Sequence, residues 1–401
     1  MRMKKTTLLA ALMLTLTALL ALTTSMVAQV GRYRADFALS RHDFADTIDI
    51  TWERGQVMVP VSMEGRTYRF LLDTGASQAV VFASSSLSQC QRAGSIVAHD
   101  ATGRTDTVPV VALPPMTLGG TTLSGCRATV QQTAGPQRCD GLLGFDLVNG
   151  GLTVKIDVPA RRLIISDRPH FFCHEPGQQL RYRLQYHVPH INVGIYGRYR
   201  EQMLFDTGSR QFIGVNKQRF DQWKPRLRDA ADVNVEGLCT GRHAMGHYGT
   251  EPEGEVAFIE MNNLRLGSYA FAHVHTVTTQ GGSHLGTYVL RYGTVSFCPL
   301  HRRMTFQPVS DEQPCMVDNP QMEIAFVPTA DGKPQVGIIW QQGTPYRQGF
   351  RQGDIIEQID HRPVMTFRQF VGWGFERGRE YTFTLLDRNG YRREVRWVRQ
   401  P

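Results

Sequence analysis

Several common catalytic signatures are missing from this sequence. Its seven cysteines form no Cys-x-x-Cys pair, which argues against zinc ribbons and thioredoxin-like redox sites. It has no Gly-x-Ser-x-Gly motif for a serine nucleophile and no local signature of a cysteine nucleophile. His243 and His247 are four residues apart, but the glutamate of a zinc-peptidase motif is absent and Gly246 disfavours the helix that such a motif needs. We therefore expect no metal ion and no cofactor.

Clusters of charge are also missing. The formal net charge is +8, and the basic residues are spread along the chain rather than gathered in one run. We therefore expect no nucleic-acid partner.

One long apolar run is present, near the N-terminus. Basic residues within positions 1–5 precede the apolar run 8–22, and small and polar residues follow it. This order is typical of a secretory signal peptide, here residues 1–28, and predicts a periplasmic or secreted protein. The alternative is a segment that stays uncut as a membrane anchor, which also leaves the rest of the chain outside the cytoplasm. In an oxidising compartment, an odd number of cysteines leaves at least one thiol free or paired between chains.

An internal repeat organises the rest of the chain, whose short apolar runs and frequent turns predict a mainly β protein. Residues 71–78 read Leu-Leu-Asp-Thr-Gly-Ala-Ser-Gln, and residues 204–211 read Leu-Phe-Asp-Thr-Gly-Ser-Arg-Gln. Later landmarks recur in the same order, because Leu143-Gly144 is echoed by Leu285-Gly286 and each pair is followed by a similar β-type run. Two copies with shared landmarks indicate duplication, so we predict two lobes at residues 47–168 and 185–308.

The repeated Asp-Thr-Gly motif suits hydrolytic chemistry. Peptide hydrolysis without a metal or a covalent intermediate needs one group that deprotonates water and another that protonates the carbonyl oxygen. Two neighbouring carboxyl groups meet this need, because like charges held close together cannot both ionise and the pair keeps one proton. The glycines permit tight turns, and the threonine hydroxyls are able to hold the opposite loop.

Both halves resemble the retropepsin/pepsin-like aspartic peptidases over most of residues 47–308. The resemblance implies a bilobal fold in which one Asp-Thr-Gly loop from each lobe meets the other in a shared cleft. It makes Asp73 and Asp206 the catalytic pair. The supporting residues that it implies are Thr74, Gly75, Leu143, Gly144, Thr207, Gly208 and Gly286. Since both loops belong to one chain, we expect a monomer.

Two features depart from the family pattern. Leu142-Leu143-Gly144 becomes His284-Leu285-Gly286 in the second half, and Arg210 stands where the family has a small or uncharged residue. The family also covers its cleft with a β-hairpin flap, for which residues 98–108 and 237–254 are the candidates.

The C-terminal part, residues 322–398, resembles a bacterial-type PDZ domain and follows a polar stretch, 309–321, that we predict to be a linker. The resemblance rests on the run Val336-Gly337-Ile338-Ile339 and on the spacing of Pro345, Gly349 and Gly353-Asp354-Ile355-Ile356. It implies an α+β domain that binds an extended peptide or a protein C-terminus by strand addition. Val336, Gly337, Ile338 and Ile339 are then expected to form the receiving strand.

Together these features predict an exported aspartic endopeptidase that acts on polypeptide substrates through an Asp/Asp pair and an activated water. Two alternatives from other classes stay open: an inactive protease-like fold that binds peptides, and a surface assembly module. The presence of both aspartates and both threonines favours the enzyme. A buried carboxylate pair lowers the stability of the fold, and a cleft that only binds peptides does not need such a pair.

Overall fold

The computed structural model describes residues 36–398, except for residues 101, 133–137, 228–231 and 247. The predicted signal peptide, residues 1–28, lies outside the described residues. Within the described ranges, no helix has the length and apolar character needed to cross a membrane.

The first half is built almost entirely of strands. β-branched and aromatic residues fill their inward positions, as in strand Gln56–Met63, where Val57, Val59 and Val61 are buried. The strands are β1 Ala38–Leu39, β2 Ala45–Asp49, β3 Thr51–Glu53, β4 Gln56–Met63, β5 Arg66–Leu72, β6 Ala79–Phe82, β7 Arg92–His99, β8 Thr105–Ala112, β9 Met116–Leu118, β10 Thr121–Ser124, β11 Arg127–Gln131, β12 Gly141–Leu143, β13 Thr153–Asp157 and β14 Arg162–Ser166. A short helix, α1 Asp146–Asn149, follows β12.

The second half repeats this plan. Its strands are β15 Gln178–Gln185, β16 Val188–Tyr196, β17 Tyr199–Asp206, β18 Ile213–Asn216, β19 Val233–Gly241, β20 Met245–Gly246, β21 Gly249–Thr250, β22 Gly254–Met261, β23 Leu264–Leu266, β24 Tyr269–Thr279, β25 His284–Gly286, β26 Gly293–Cys298, β27 Arg303–Pro308 and β28 Cys315–Asn319. Helix α2 spans Lys217–Trp223. Asn216 caps its N-terminus, and the Asn216 side chain accepts a hydrogen bond from Arg219 N.

The repeat in the sequence is a repeat in topology. In the first half, β12 pairs parallel to β5 and antiparallel to β6. In the second half, β25 pairs in the same two ways with β17 and β18. The mainly β fold with two matching halves is therefore confirmed.

A shared sheet joins the halves. Strands run in the order β2, β14, β13, β26, β27 and β15, so that three come from each half. Large side chains continue the core across this boundary, because the ring of Phe145 lies 5.1 Å from that of Phe297. Cys173, in the connection between the halves, forms a disulfide with Cys298 at the end of β26. The five other cysteines, all in described ranges, are free thiols: Cys90, Cys126, Cys139, Cys239 and Cys315.

Two segments differ from the boundaries that we predicted from the sequence. Strand β15 begins at Gln178, seven residues before the predicted start of the second lobe. The stretch 309–321 contains β28, which pairs parallel to β24 and thus extends the sheet of the second half. The polar composition of this stretch suggested a linker, but its backbone hydrogen bonds are made with the lobe.

The C-terminal module, residues 324–398, has a sheet and a hydrophobic core of its own. Its elements are β29 Ile324–Pro328, β30 Pro334–Ile339, α3 Thr344–Gln348, β31 Ile355–Ile359, β32 Arg362–Pro363, α4 Phe367–Val371, β33 Glu380–Leu386 and β34 Arg392–Val398. This is an α+β arrangement, whereas its assignment as a PDZ domain stays a prediction.

The expected peptide-receiving strand is not at an edge of this sheet. β30, which carries Val336, Gly337, Ile338 and Ile339, lies between β29 and β31. Gly337 O also accepts a hydrogen bond from Arg242 N of the second lobe, at 3.3 Å. These four residues thus lie inside the sheet, and their role as a receiving strand stays a prediction. The strand at the edge is β29.

Candidate active site

Each Asp-Thr-Gly loop begins where a central strand ends. Asp73 follows β5, and its backbone N donates to Leu143 O at 2.9 Å. Asp206 is the last residue of β17 and lies opposite Gly286 of β25 in the parallel register. The buried Leu143 thus fixes the start of the first loop through its carbonyl group, and Gly286 lies beside the start of the second loop.

The two loops hold their carboxylates in the same way. Asp73 Oδ1 accepts from Gly75 N at 2.9 Å and from Ala76 N at 3.2 Å. Asp206 Oδ1 accepts from Gly208 N at 2.8 Å and from Ser209 N at 3.3 Å. In each carboxyl one oxygen is fixed by the backbone of its own loop.

The threonines connect the loops to each other. Thr74 Oγ1 donates to Phe205 O at 2.6 Å and accepts from Thr207 N at 3.0 Å. In return, Thr207 Oγ1 donates to Leu72 O at 2.7 Å and accepts from Thr74 N at 2.9 Å. Both threonines are buried. Each hydroxyl therefore satisfies two backbone groups of the opposite half, and the structure brings these two predicted residues together.

The loop glycines are required by close approach. A Cβ on Gly75 would lie 2.6 Å from Asp206 Oδ1, and a Cβ on Gly208 would lie 2.7 Å from the carboxyl carbon of Asp73. Any larger residue would push the opposite aspartate away. The two carboxyl groups face each other because Gly75 and Gly208 have no side chain.

The pKa of Asp73 is raised well above its usual range. Burial is the main cause, followed by the negative charge of Asp206 and a hydrogen bond between the two carboxyl groups. The pair therefore holds a proton at pH values at which an isolated aspartate has lost it.

The glycines at the ends of β12 and β25 also permit close packing. A Cβ on Gly144 would meet the backbone of Gln78 at 2.6 Å, and a Cβ on Gly286 would meet Gln211 O at 2.2 Å. Both strand ends thus pack directly against the segment that follows an Asp-Thr-Gly loop.

The polar His284 of the second half is accommodated by its neighbours. A Cβ on Gly214 would lie 2.3 Å from His284 Cε1, whereas the first half has Val80 against Leu142 at the paired positions. The imidazole lies within hydrogen-bonding distance of Gln211 Oε1, at 3.0 Å. The glycine and the histidine are therefore matched substitutions, and the strand pairing around the second loop is kept.

Two hairpins approach each other from the two halves. β7 and β8 form the first, with a tip in which Asp100 Oδ1 accepts from Thr102 N at 2.9 Å. β20 and β21 form the second. Asp100 Oδ2 also accepts from Tyr248 N at 2.8 Å, which joins the two tips. Both segments that we predicted as flap candidates contain hairpins, but the role of Asp100 in joining them was missed.

A buried glutamate orders the base of the second hairpin. Glu251 accepts from His243 N and Ala244 N, each at 2.9 Å, and from Gln280 N at 2.7 Å. Burial alone would raise the pKa of Glu251, but the nearby charge of His243 and these hydrogen bonds lower it. His243 is thus a partner of Glu251, while His247 lies outside the described residues.

Asp146, just after the Leu143-Gly144 strand end, gives a testable pH dependence. Burial raises its pKa to about 6, although Ala79 N donates to its Oδ2 at 3.1 Å. A carboxyl group whose pKa is raised by folding contributes its full stability at pH values below its unfolded-state pKa. This contribution is lost as the pH rises through about 6, the pKa of Asp146 in the folded protein. We expect Asp146→Asn to be more stable than the wild type at pH 7, by on the order of 2 to 3 kcal/mol, and similar to it near pH 4.

Urea unfolding of both proteins at several pH values measures this difference. Asparagine keeps an acceptor for Ala79 N, so the subtraction isolates the titration of one carboxyl group. A stability difference that stays constant from pH 4 to pH 7 would show that Asp146 does not titrate in this range.

One family model and one solved structure are similar to parts of this chain. Residues 59–147 match the family model described as aspartyl protease, and this range includes the first Asp-Thr-Gly loop. A crystal structure of an aspartic proteinase from Irpex lacteus is similar to 68% of this chain and 99% of its own, with 14% sequence identity and a TM-score of 0.42. Among curated proteins, no sequence matches this chain.

Proposed function

We propose that this protein is an aspartic endopeptidase in which Asp73 and Asp206 form the catalytic pair. The observation that carries the proposal is the mutual bracing of the two loops, because Thr74 and Thr207 each bond two backbone groups of the opposite half. A raised pKa at Asp73, caused by burial and by Asp206, adds support for a pair that shares one proton.

In the proposed reaction the pair binds a water molecule opposite the scissile carbonyl. The ionised carboxylate removes a proton from the water as its oxygen attacks the carbonyl carbon, and the protonated carboxyl donates its proton to the carbonyl oxygen. The carboxyl that took the proton from water then donates it to the leaving nitrogen as the C–N bond breaks. One hydroxyl of the tetrahedral diol returns its proton to the other carboxylate as the C=O bond re-forms. Carboxylic acid and amine are released, and the pair again holds one proton.

The two hairpins are proposed to cover an extended substrate above the pair. Their contact through Asp100 and Tyr248 N supports this role, because it joins one tip from each half. Closure would exclude bulk water and strengthen the electrostatic interactions of the carboxyl pair.

The C-terminal module is proposed to bind a peptide or a protein C-terminus. β29, the edge strand, has unpaired backbone positions that suit strand addition, and Phe326 on it packs against Phe370 of α4 with ring centroids 4.7 Å apart. Export by the N-terminal segment and a monomeric state complete the proposal.

The first test is cleavage of an unstructured protein by the purified chain, without residues 1–28, from acid to neutral pH. We expect internal cleavage that is strongest on the acid side and declines as the pH rises through the raised pKa of Asp73. Retained peptide binding with no cleavage at any pH would support the inactive peptide-binding alternative instead.

A further inference from the structure

A cluster of histidine and carboxylate side chains lies on the sheet of the second lobe. Glu260 on β22 is opposite His275 on β24 in the antiparallel register, and His273 is two residues before it. One ligand atom from each of these residues lies within 4.8 Å of the others. They are far apart in sequence from both Asp-Thr-Gly loops, and the mechanism proposed above does not use them.

The backbone at His273 directs its side chain into this cluster. His273 has a φ of 60°, in the left-handed region, and the pairing of β24 with β28 shifts register between Ala272 and Val274. Bulges of this kind re-aim a side chain, and a strained backbone at a residue other than glycine is typical of functional sites. The imidazole Nδ1 lies 2.7 Å from Glu260 Oε1.

A second carboxylate supports the cluster from behind. His275 Nδ1 lies 3.1 Å from Glu236 Oε2, which leaves Nε2 of the same ring for another partner. Gln321 Nε2 donates to the same Glu236 oxygen at 2.6 Å. A carboxylate that orients a histidine in this way is characteristic of the surroundings of metal-binding histidines.

We propose that Glu260, His273 and His275 bind a divalent transition-metal ion of the Zn²⁺ class. Imidazole nitrogens favour such ions over Ca²⁺ and Mg²⁺, and three protein ligands leave a fourth position for water. The carboxylates of Glu260 and Glu236 balance the charge of the ion. The side chains of Glu260 and His275 are 18% and 11% exposed, whereas that of His273 is 51% exposed and gives the ion access.

The site would connect the second lobe to the chain that leads into the C-terminal module. His275 N donates to Asn319 Oδ1 at 3.2 Å, and Trp340 Nε1 donates to Glu236 O at 3.2 Å. We therefore expect a bound ion to strengthen this junction. We expected no metal from the sequence, because Glu260 lies on a different strand from the two histidines and the three residues match no metal-binding motif.

The test uses the purified chain without residues 1–28, from which metal has been removed with a chelator. It is titrated with ZnCl₂ in a calorimeter, and the visible absorption spectrum of bound Co²⁺ is recorded. We expect one ion per chain and a melting temperature that rises with Zn²⁺ concentration. His273→Asn, which tolerates the left-handed backbone, and Glu260→Gln should each weaken binding by more than about 100-fold, and Glu236→Gln by about 10- to 100-fold.

A matched control is His361→Asn, because His361 is an exposed histidine with the same left-handed φ of 60° and lies 4.0 Å from a carboxylate oxygen of Glu394. It should leave Zn²⁺ affinity unchanged. The absence of saturable binding by the wild type, or equal affinity in His273→Asn and the wild type, would overturn the proposal. Circular dichroism of each variant shows whether a loss of binding reflects a loss of fold.

Discussion

Asp73→Asn and Asp206→Asn are each expected to lower kcat for peptide hydrolysis by about 10³-fold or more. An asparagine retains the size and the oxygen acceptor of the aspartate, so the hydrogen bonds from the backbone of its own loop are kept. It neither accepts the proton of water nor shares a proton with the other carboxyl group. The reaction then lacks either its base or its acid, whichever residue is replaced.

Initial rates of cleavage by purified single variants measure this effect, and thermal unfolding of the same samples checks that both variants fold. Asp331→Asn is a suitable control, because Asp331 is exposed in the C-terminal module and takes no part in the proposed site. Residual activity in Asp206→Asn but not in Asp73→Asn would instead indicate a dimer that pairs two first-half loops. Full activity in either variant would contradict the proposed pair.

Features that depend on local sequence could be predicted here, whereas features that depend on contacts between distant residues could not. The Asp-Thr-Gly loops and their glycines were predictable, because a local motif repeated at strand ends imposes its own turn geometry. The matched pair Gly214 and His284 was visible only in part: the sequence shows the histidine, but the space that accepts it depends on the strand register.

Features formed by long-range packing were not predictable in the same way. Residues Cys315–Asn319 have a polar, linker-like context, yet they pair in parallel with β24 of the second half, a partner that no local pattern identifies. Likewise, Val336–Ile339 have the apolar character of a buried strand, which does not tell an edge strand from a central one. Contacts between distant hairpins, such as Asp100 with Tyr248, depend on the relative positions of the two halves.

Replacement of a loop threonine is the second large effect that we expect. Thr74→Val keeps the shape of the side chain but leaves Phe205 O without its donor and Thr207 N without its acceptor, in a buried setting. Two unpaired backbone groups should lower the free energy of unfolding by about 2 to 4 kcal/mol. Thr74→Ser keeps the hydroxyl and should cost about 1 kcal/mol or less, mainly through the lost methyl group.

A control variant separates the loss of the contacts between the loops from the general cost of removing a buried hydroxyl group. Thr153→Val is a matched control, because this buried threonine donates to one carbonyl, Ser166 O at 3.1 Å, away from the loops. Denaturant unfolding should place its cost below that of Thr74→Val, and only Thr74→Val should also lower kcat, since it loosens the loop that carries Asp73.

A double-mutant cycle of Thr74→Val with Thr207→Val tests whether the two loops act as one unit. The four hydrogen bonds involve different backbone groups, so independent bonds would give additive losses of stability. If each hydroxyl instead depends on the loop position that the other maintains, the second replacement costs less than the first. We expect this smaller cost, because loss of one brace already lets the loops separate. Strict additivity would mean that each hydroxyl stabilises the loops independently, and that loss of one brace does not let the loops separate.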